Sequence, residues 1–145
     1  MSSPLVLVHG FTQNARCWGP VAEDLGRDHD VLALDAPGHG TSTDIRVSFE
    51  DGAALIGEAG SRATYLGYSM GGRYALRLAL DRPDLVERLI LVGASPGLDD
   101  PDERTARKIA DDVLADRIEE IGVDAFLTEW TALPPSSASL PRCVS

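Results

Sequence analysis

The chain has 145 residues, enough for one domain, and folding at that length buries roughly two-thirds of the unfolded surface. Apolar residues make up 43% of the sequence and the formal net charge is −10, a balance that excludes a disordered polypeptide. The same charge excludes a nucleic-acid-binding surface, which needs clustered Lys and Arg, but not a small anionic ligand held by a few arginines.

In chain order, the N-terminus has no basic segment, and its first apolar run, Leu5-Val6-Leu7-Val8, is too short for a signal peptide or membrane span. A cytoplasmic protein without membrane contact is therefore expected. Cys17 and Cys143 lie far apart and match no metal or redox spacing, which predicts no metal site and two separate thiols in a reducing compartment, with a single disulfide as the alternative. Leu5–Val8, Val31–Leu34 and Arg88–Val92 are apolar runs of the kind expected of strands buried on both faces of a parallel sheet. Ala63–Tyr68 is less apolar but extended in character. Between them lie helical lengths at Ala15–Leu25, Phe49–Ala59 and Ser69–Leu80, the last followed by the breaker Asp81-Arg82-Pro83. The alternation predicts right-handed βαβ units and a parallel sheet.

After Val92 the character changes. Gly93-Ala94-Ser95-Pro96-Gly97 is a turn cluster. Ala106, Ile109, Ala110, Val113, Leu114, Ile118 and Ile121 then recur at three- and four-residue spacing, predicting an acidic helix over Pro101–Ile121. Gly122 stops it, a shorter helix follows over Val123–Thr131, and the residues from Leu133 onward have no periodicity.

Three motifs carry chemistry. Gly67-Tyr68-Ser69-Met70-Gly71 fits G-x-S-x-G, in which a serine sits on a strained strand-to-helix turn and flanking glycines let strand and helix approach closely. His9-Gly10-Phe11 follows the first strand. In a turn of this kind the backbone N–H groups of Phe11 and of Met70, the residue after the serine, can form an oxyanion hole, while His9 shapes the turn. Asp35-Ala36-Pro37-Gly38-His39-Gly40-Thr41-Ser42 ends the second strand and is read as a rigid structural turn. Arg73 stands four residues after Ser69 on the same helix face. A guanidinium at that depth needs an anion, which points to a substrate carboxylate or to pairing with an acidic residue of the chain. Arg107 falls among the apolar positions Leu114 and Ile118 of the acidic helix, as does Arg117, so an arginine there can reach into a site below. Trp130 suits either a pocket wall or a core.

In this order and spacing the three motifs resemble the α/β-hydrolase superfamily, over Leu5 to about Pro134. The resemblance implies an α/β fold, a parallel sheet flanked by helices, with residues 1–97 as the N-terminal part of the core. Residues 98–133 then start a helical cap and 134–145 form an irregular tail. In that superfamily the triad runs serine, acid, histidine. Here His9, His29 and His39 all precede Ser69, and Asp81, Asp84, Asp99 and Asp100 lie before the expected acid. The C-terminal strands, the acid and the histidine are thus expected to be missing, and the chain as written to be inactive.

Gly-Tyr-Ser-Met-Gly-Gly-Arg at residues 67–73, Ser95-Pro96-Gly97-Leu98, Glu103-Arg104 with Arg107, and Trp130 further resemble one family, the 2-succinyl-6-hydroxy-2,4-cyclohexadiene-1-carboxylate synthases of menaquinone biosynthesis. That resemblance implies a cofactor-independent lyase that eliminates pyruvate from a polycarboxylate, with Ser69 in the catalytic triad. It implies substrate contacts from Tyr68, Arg73, Arg107 and Trp130, and oxyanion donors at Phe11 and Met70. The expected partner is a small anionic substrate. A serine hydrolase acting on a carboxylate-bearing ester and a non-catalytic half-domain remain open readings.

Overall fold

The computed structural model describes residues 2–134. Four strands, β1 (Ser3–Val8), β2 (His29–Leu34), β3 (Ala63–Tyr68) and β4 (Val86–Val92), form one parallel sheet in the order β2-β1-β3-β4. The helices are α1 (Gly19–Leu25), α2 (Phe49–Gly60), α3 (Met70–Asp81), α4 (Pro101–Ile121) and α5 (Val123–Ala132). The chain divides into two compact units, one reaching Ser95 and one beginning at Pro96. The predicted irregular tail (apart from Pro134) and Cys143 lie outside the described residues.

Apolar content locates the core of the first unit. Val6 and Val8 of β1, Ala63 and Tyr65 of β3, Ala53 and Ile56 of α2, and Ala75 and Leu78 of α3 form one buried cluster. Leu5 and Leu7 point to the opposite face, where a 3-10 turn at Ala15–Trp18 and α1 pack beside β1 and β2. β1 is therefore buried on both faces, as its unbroken apolar run predicts.

The matching expectation for the second and third runs is corrected. Among the described residues β2 and β4 are the outer strands, and Leu32 and Ile90 are each 42% exposed. An edge strand has one neighbour, so an apolar run alone does not bury it. The predicted helix over Ala15–Leu25 is also divided. Pro20 has no N–H to continue the first turn, so the chain breaks at Gly19 (φ +34) and restarts as α1 with its proline in the first turn.

Strand order places the site. From β1 the chain moves outward to β2, then crosses back over to β3 on the other side of β1. The turns leaving β1 and β3 therefore diverge, opening a crevice at the carboxyl ends of these two strands. His9-Gly10-Phe11 and Ser69 stand on its two sides.

Candidate active site

β3 ends at Tyr68 and α3 begins at Met70, so Ser69 alone makes the turn, at φ 51° and ψ −113°. A side chain in this region is strained by about 1–3 kcal/mol and persists only when its surroundings fix it. Here they do. The Ser69 N–H donates to the Val92 carbonyl at 2.9 Å, and the Arg73 N–H donates to the Ser69 carbonyl at 3.2 Å. Gly67 and Gly71 leave no room for a side chain. A methyl on Gly67 would overlap the Gly71 carbonyl, and one on Gly71 would overlap the Val8 carbonyl oxygen. The first turn of α3 thus rests directly on the last peptides of β1, and Ser69 is lifted to the rim. Its hydroxyl makes no capping bond to α3.

Met70 is the first residue of α3, so its N–H is among the four that have no acceptor within the helix and lies at the positive end of the dipole. On the opposite side, the turn after β1 is closed by Gly10 N–H donating to Gln13 Oε1 at 3.0 Å and Gln13 N–H donating to the Gly10 carbonyl at 3.2 Å. Phe11 lies in that turn, its ring edge-on to His39 at 6.0 Å. The Tyr68 ring sits between the backbones of Gly10 and Gly93, where added methyls would lie 2.9 and 3.4 Å from ring carbons. Phe11, Tyr68, Ser69, Met70 and Arg73 are therefore gathered at one end of the sheet.

His9 is buried at 1% exposure. Its Nδ1 lies 2.8 Å from the Gly10 carbonyl, and its Nε2 accepts the Ala36 N–H at 3.0 Å. That pair of bonds assigns a neutral ring with the proton on Nδ1. Burial holds its pKa below the usual imidazole value, against the opposing Gly10 bond and Asp35, with His39 adding to the lowering. Asp35 ties the Ala15 turn to its own. Its carboxylate accepts the Ala15 N–H at 2.7 Å, the Thr41 N–H at 2.9 Å and the Thr41 hydroxyl at 2.8 Å. Burial pushes the Asp35 carboxyl up, but these hydrogen bonds outweigh it and leave the pKa below the ordinary value. Both motifs shape the site, as their sequence reading expects.

Among the described residues no histidine hydrogen-bonds Ser69. His9 is committed as above, His39 Nδ1 lies 3.1 Å from the Pro37 carbonyl, and His29 Nδ1 lies 3.0 Å from Ser3 Oγ. Among the described residues there is also no cluster of three or more His, Cys, Asp or Glu side chains placed to hold a metal. Nor is any helix there long and apolar enough to cross a membrane.

Arg73 differs from its expectation in one respect. Its side chain is exposed, with the guanidinium carbon 5.6 Å from the centroid of the Phe49 ring. Depth therefore does not demand an anion. Among the described residues no carboxylate pairs with it, so the alternative of an internal acidic partner is not met there. Phe49 is the site residue that sequence reasoning misses. It and Arg73 come from different helices, and no local pattern links them.

Arg107 and Trp130 belong to the second unit. Arg107 lies on α4 with Nε 2.9 Å from Asp111, one turn away, and its side chain is 63% exposed. Trp130 lies on α5 with its ring tilted against Phe126 at 5.6 Å. Arg117 bonds Glu120 at 3.1 Å and Glu129 at 2.8 Å.

A parallel sheet with a strained serine between strand and helix, facing a glycine turn at a switch point, defines an α/β-hydrolase fold. Residues 5–142 match the alpha/beta hydrolase family, and the chain belongs to it. It is 34% identical over 142 residues to the 2-succinyl-6-hydroxy-2,4-cyclohexadiene-1-carboxylate synthase of an Enterobacter species, covering 92% of this chain and 54% of that protein. It is also 34% identical over 128 residues to the pimeloyl-[acyl-carrier protein] methyl ester esterase of Aliivibrio salmonicida, covering 87% and 48%. The solved structure of MenH from S. aureus superimposes with a TM-score of 0.77 at 30% identity, covering 90% of this chain and 52% of that one. The chain thus spans about half the length of the relatives it matches.

Proposed function

We propose that this chain carries the nucleophile half of a lyase resembling the 2-succinyl-6-hydroxy-2,4-cyclohexadiene-1-carboxylate synthases, which removes a proton from a polycarboxylate and expels pyruvate. One observation carries the reading: one helical turn past the strained Ser69 elbow stands a guanidinium that pairs with no carboxylate among the described residues. An ester hydrolase for apolar substrates has no use for that cation, whereas a substrate with several carboxylates is oriented by it.

Each group then has a role. Ser69, with a base, takes the proton beside a carbonyl, and the negative charge develops on the carbonyl oxygen. The N–H groups of Phe11 and Met70 stabilise that oxygen. Arg73 holds a carboxylate through its N–H fork, and Tyr68 walls the crevice. Arg107 and Trp130 are assigned further substrate contacts by resemblance alone. No histidine among the described residues hydrogen-bonds Ser69, and a hydroxyl without a base is a poor proton acceptor, so the 145-residue chain is expected to turn over negligibly by itself. We place this protein in a soluble, cytoplasmic setting and assign it no cofactor.

The esterase relative at equal identity supports a second reading, hydrolysis of a carboxylate-bearing ester. A chimaera separates the two. Residues 1–134 are followed by the matching C-terminal part of the Enterobacter synthase, and pyruvate release and ester cleavage are measured side by side. Pyruvate release that disappears in Ser69→Ala is expected. Ester cleavage without pyruvate release sinks the lyase reading, and a folded chimaera with neither activity leaves only a binding role.

A further inference from the structure

We propose that Phe49 is the positioning residue for Arg73 and thereby sets how tightly the elbow holds a carboxylate, an inference that rests on the reading of Arg73 as an anion contact. The ring is itself held in place. Ser48 caps α2 by accepting the Asp51 N–H at 3.0 Å, which fixes Phe49 as the helix's first residue. Phe49 then stacks on Tyr74 of α3, with ring centroids 4.6 Å apart and planes 24° apart. Tyr74 packs against the buried cluster of the first unit, and Gly52 and Pro37 close around it, since a methyl on Gly52 would lie 2.9 Å from its ring and 3.3 Å from Pro37. Core, Tyr74, Phe49 and Arg73 thus form one stack ending at the guanidinium.

The choice of an aromatic support has a chemical consequence. Glu50 and Asp51 follow Phe49 on the first turn of α2, yet neither pairs with Arg73. A carboxylate would cancel the charge and occupy the N–H donors. A ring attracts the cation through its quadrupole and uses no donor, so both the charge and the five N–H groups stay available to a ligand. It also restricts a long side chain that would otherwise lose its rotamer freedom when the ligand binds.

The test uses arginine-labelled chain in solution, at concentrations where it is monomeric, with succinate as the dicarboxylate probe. In the wild type the Arg73 Nε–H resonance is expected to carry a ring-current shift and to move on titration. Phe49→Leu should abolish the ring-current shift and weaken succinate about threefold. Phe49→Trp should restore both, with melting temperatures alike across the series. Unchanged affinity in Phe49→Leu, or weakening that Trp does not rescue, overturns the positioning role while leaving Arg73 as the anion contact. A wild type that ignores succinate, or an Arg73→Gln variant that binds it equally well, overturns the anion reading and this inference with it.

Discussion

The two units are held by different physics. In the first, backbone lies on backbone: α3 touches the last peptides of β1, and Leu5 to Val8 are at most 3% exposed. In the second, α4 contains no buried residue. It is defined locally, by Asp100 accepting the Asp102 and Glu103 N–H groups, by Pro101 in the first turn and by Gly122 at the end. Its ion pairs, Arg107–Asp111, Lys108–Asp112 and Arg117–Glu120, are all solvent-exposed. Close packing fixes a side chain to a fraction of an ångström, whereas caps and exposed pairs fix only that a helix exists. The strained serine sits where position is over-determined.

Substitutions can break that contrast, beginning with the largest. Gly71→Ala drives a methyl into the Val8 and His9 carbonyls, which are backbone and cannot turn aside. It should cost about 3 kcal/mol or more, read as a lower denaturant midpoint. A near-neutral result would mean that α3 does not rest on β1. Next is the pH dependence carried by His9. Its folded pKa lies below the ordinary value, so the unfolded chain takes up a proton first as pH falls. Its stabilising contribution is therefore complete above about pH 6.5 and declines as pH drops through that value toward the folded pKa, at up to about 1.4 kcal/mol per unit. His9→Gln should flatten this part of the stability profile. An unchanged slope would place the titrating group elsewhere.

The same contrast explains what the sequence reveals. The elbow is legible because Gly67, Ser69 and Gly71 answer a steric demand within five residues. The helix over Pro101–Ile121 is legible because its caps and its period are both local. The edge status of β2 and β4 is not, since Val31–Leu34 and Leu89–Val92 read like Leu5–Val8 and differ only in how many neighbours the topology gives them. Nor is the support of Arg73 by Phe49, because the contact joins two helices whose packing is decided by Ala53, Ile56, Ala75 and Leu78. On Arg107 the period holds and says less: Arg107 shares the helix side of the half-buried Leu114 and Ile118, while its guanidinium pairs with Asp111 one turn on, in solvent.

A smaller effect has the opposite sign. Ser69→Gly removes the side chain from a positive-φ position and relieves its backbone strain. The variant should gain about 1 kcal/mol in unfolding free energy, less the extra chain entropy of glycine, while losing any chemistry at the elbow. Loss of stability instead would mean that the serine side chain contributes packing that outweighs its strained backbone.

The smallest effect is expected in the second unit. Asp111→Asn removes the partner of Arg107, but the two side chains are 63% and 53% exposed and one helical turn apart. Water solvates each charge nearly as well alone as paired, added salt screens what attraction remains, and holding two long side chains together has its own entropic cost. The melting midpoint should therefore stay within error of the wild type, in low salt as in high. A measurable, salt-sensitive loss would mean that the pair is shielded from solvent and that α4 has a buried face after all. In that case the division between a sterically fixed unit and a locally fixed one would fail at this helix.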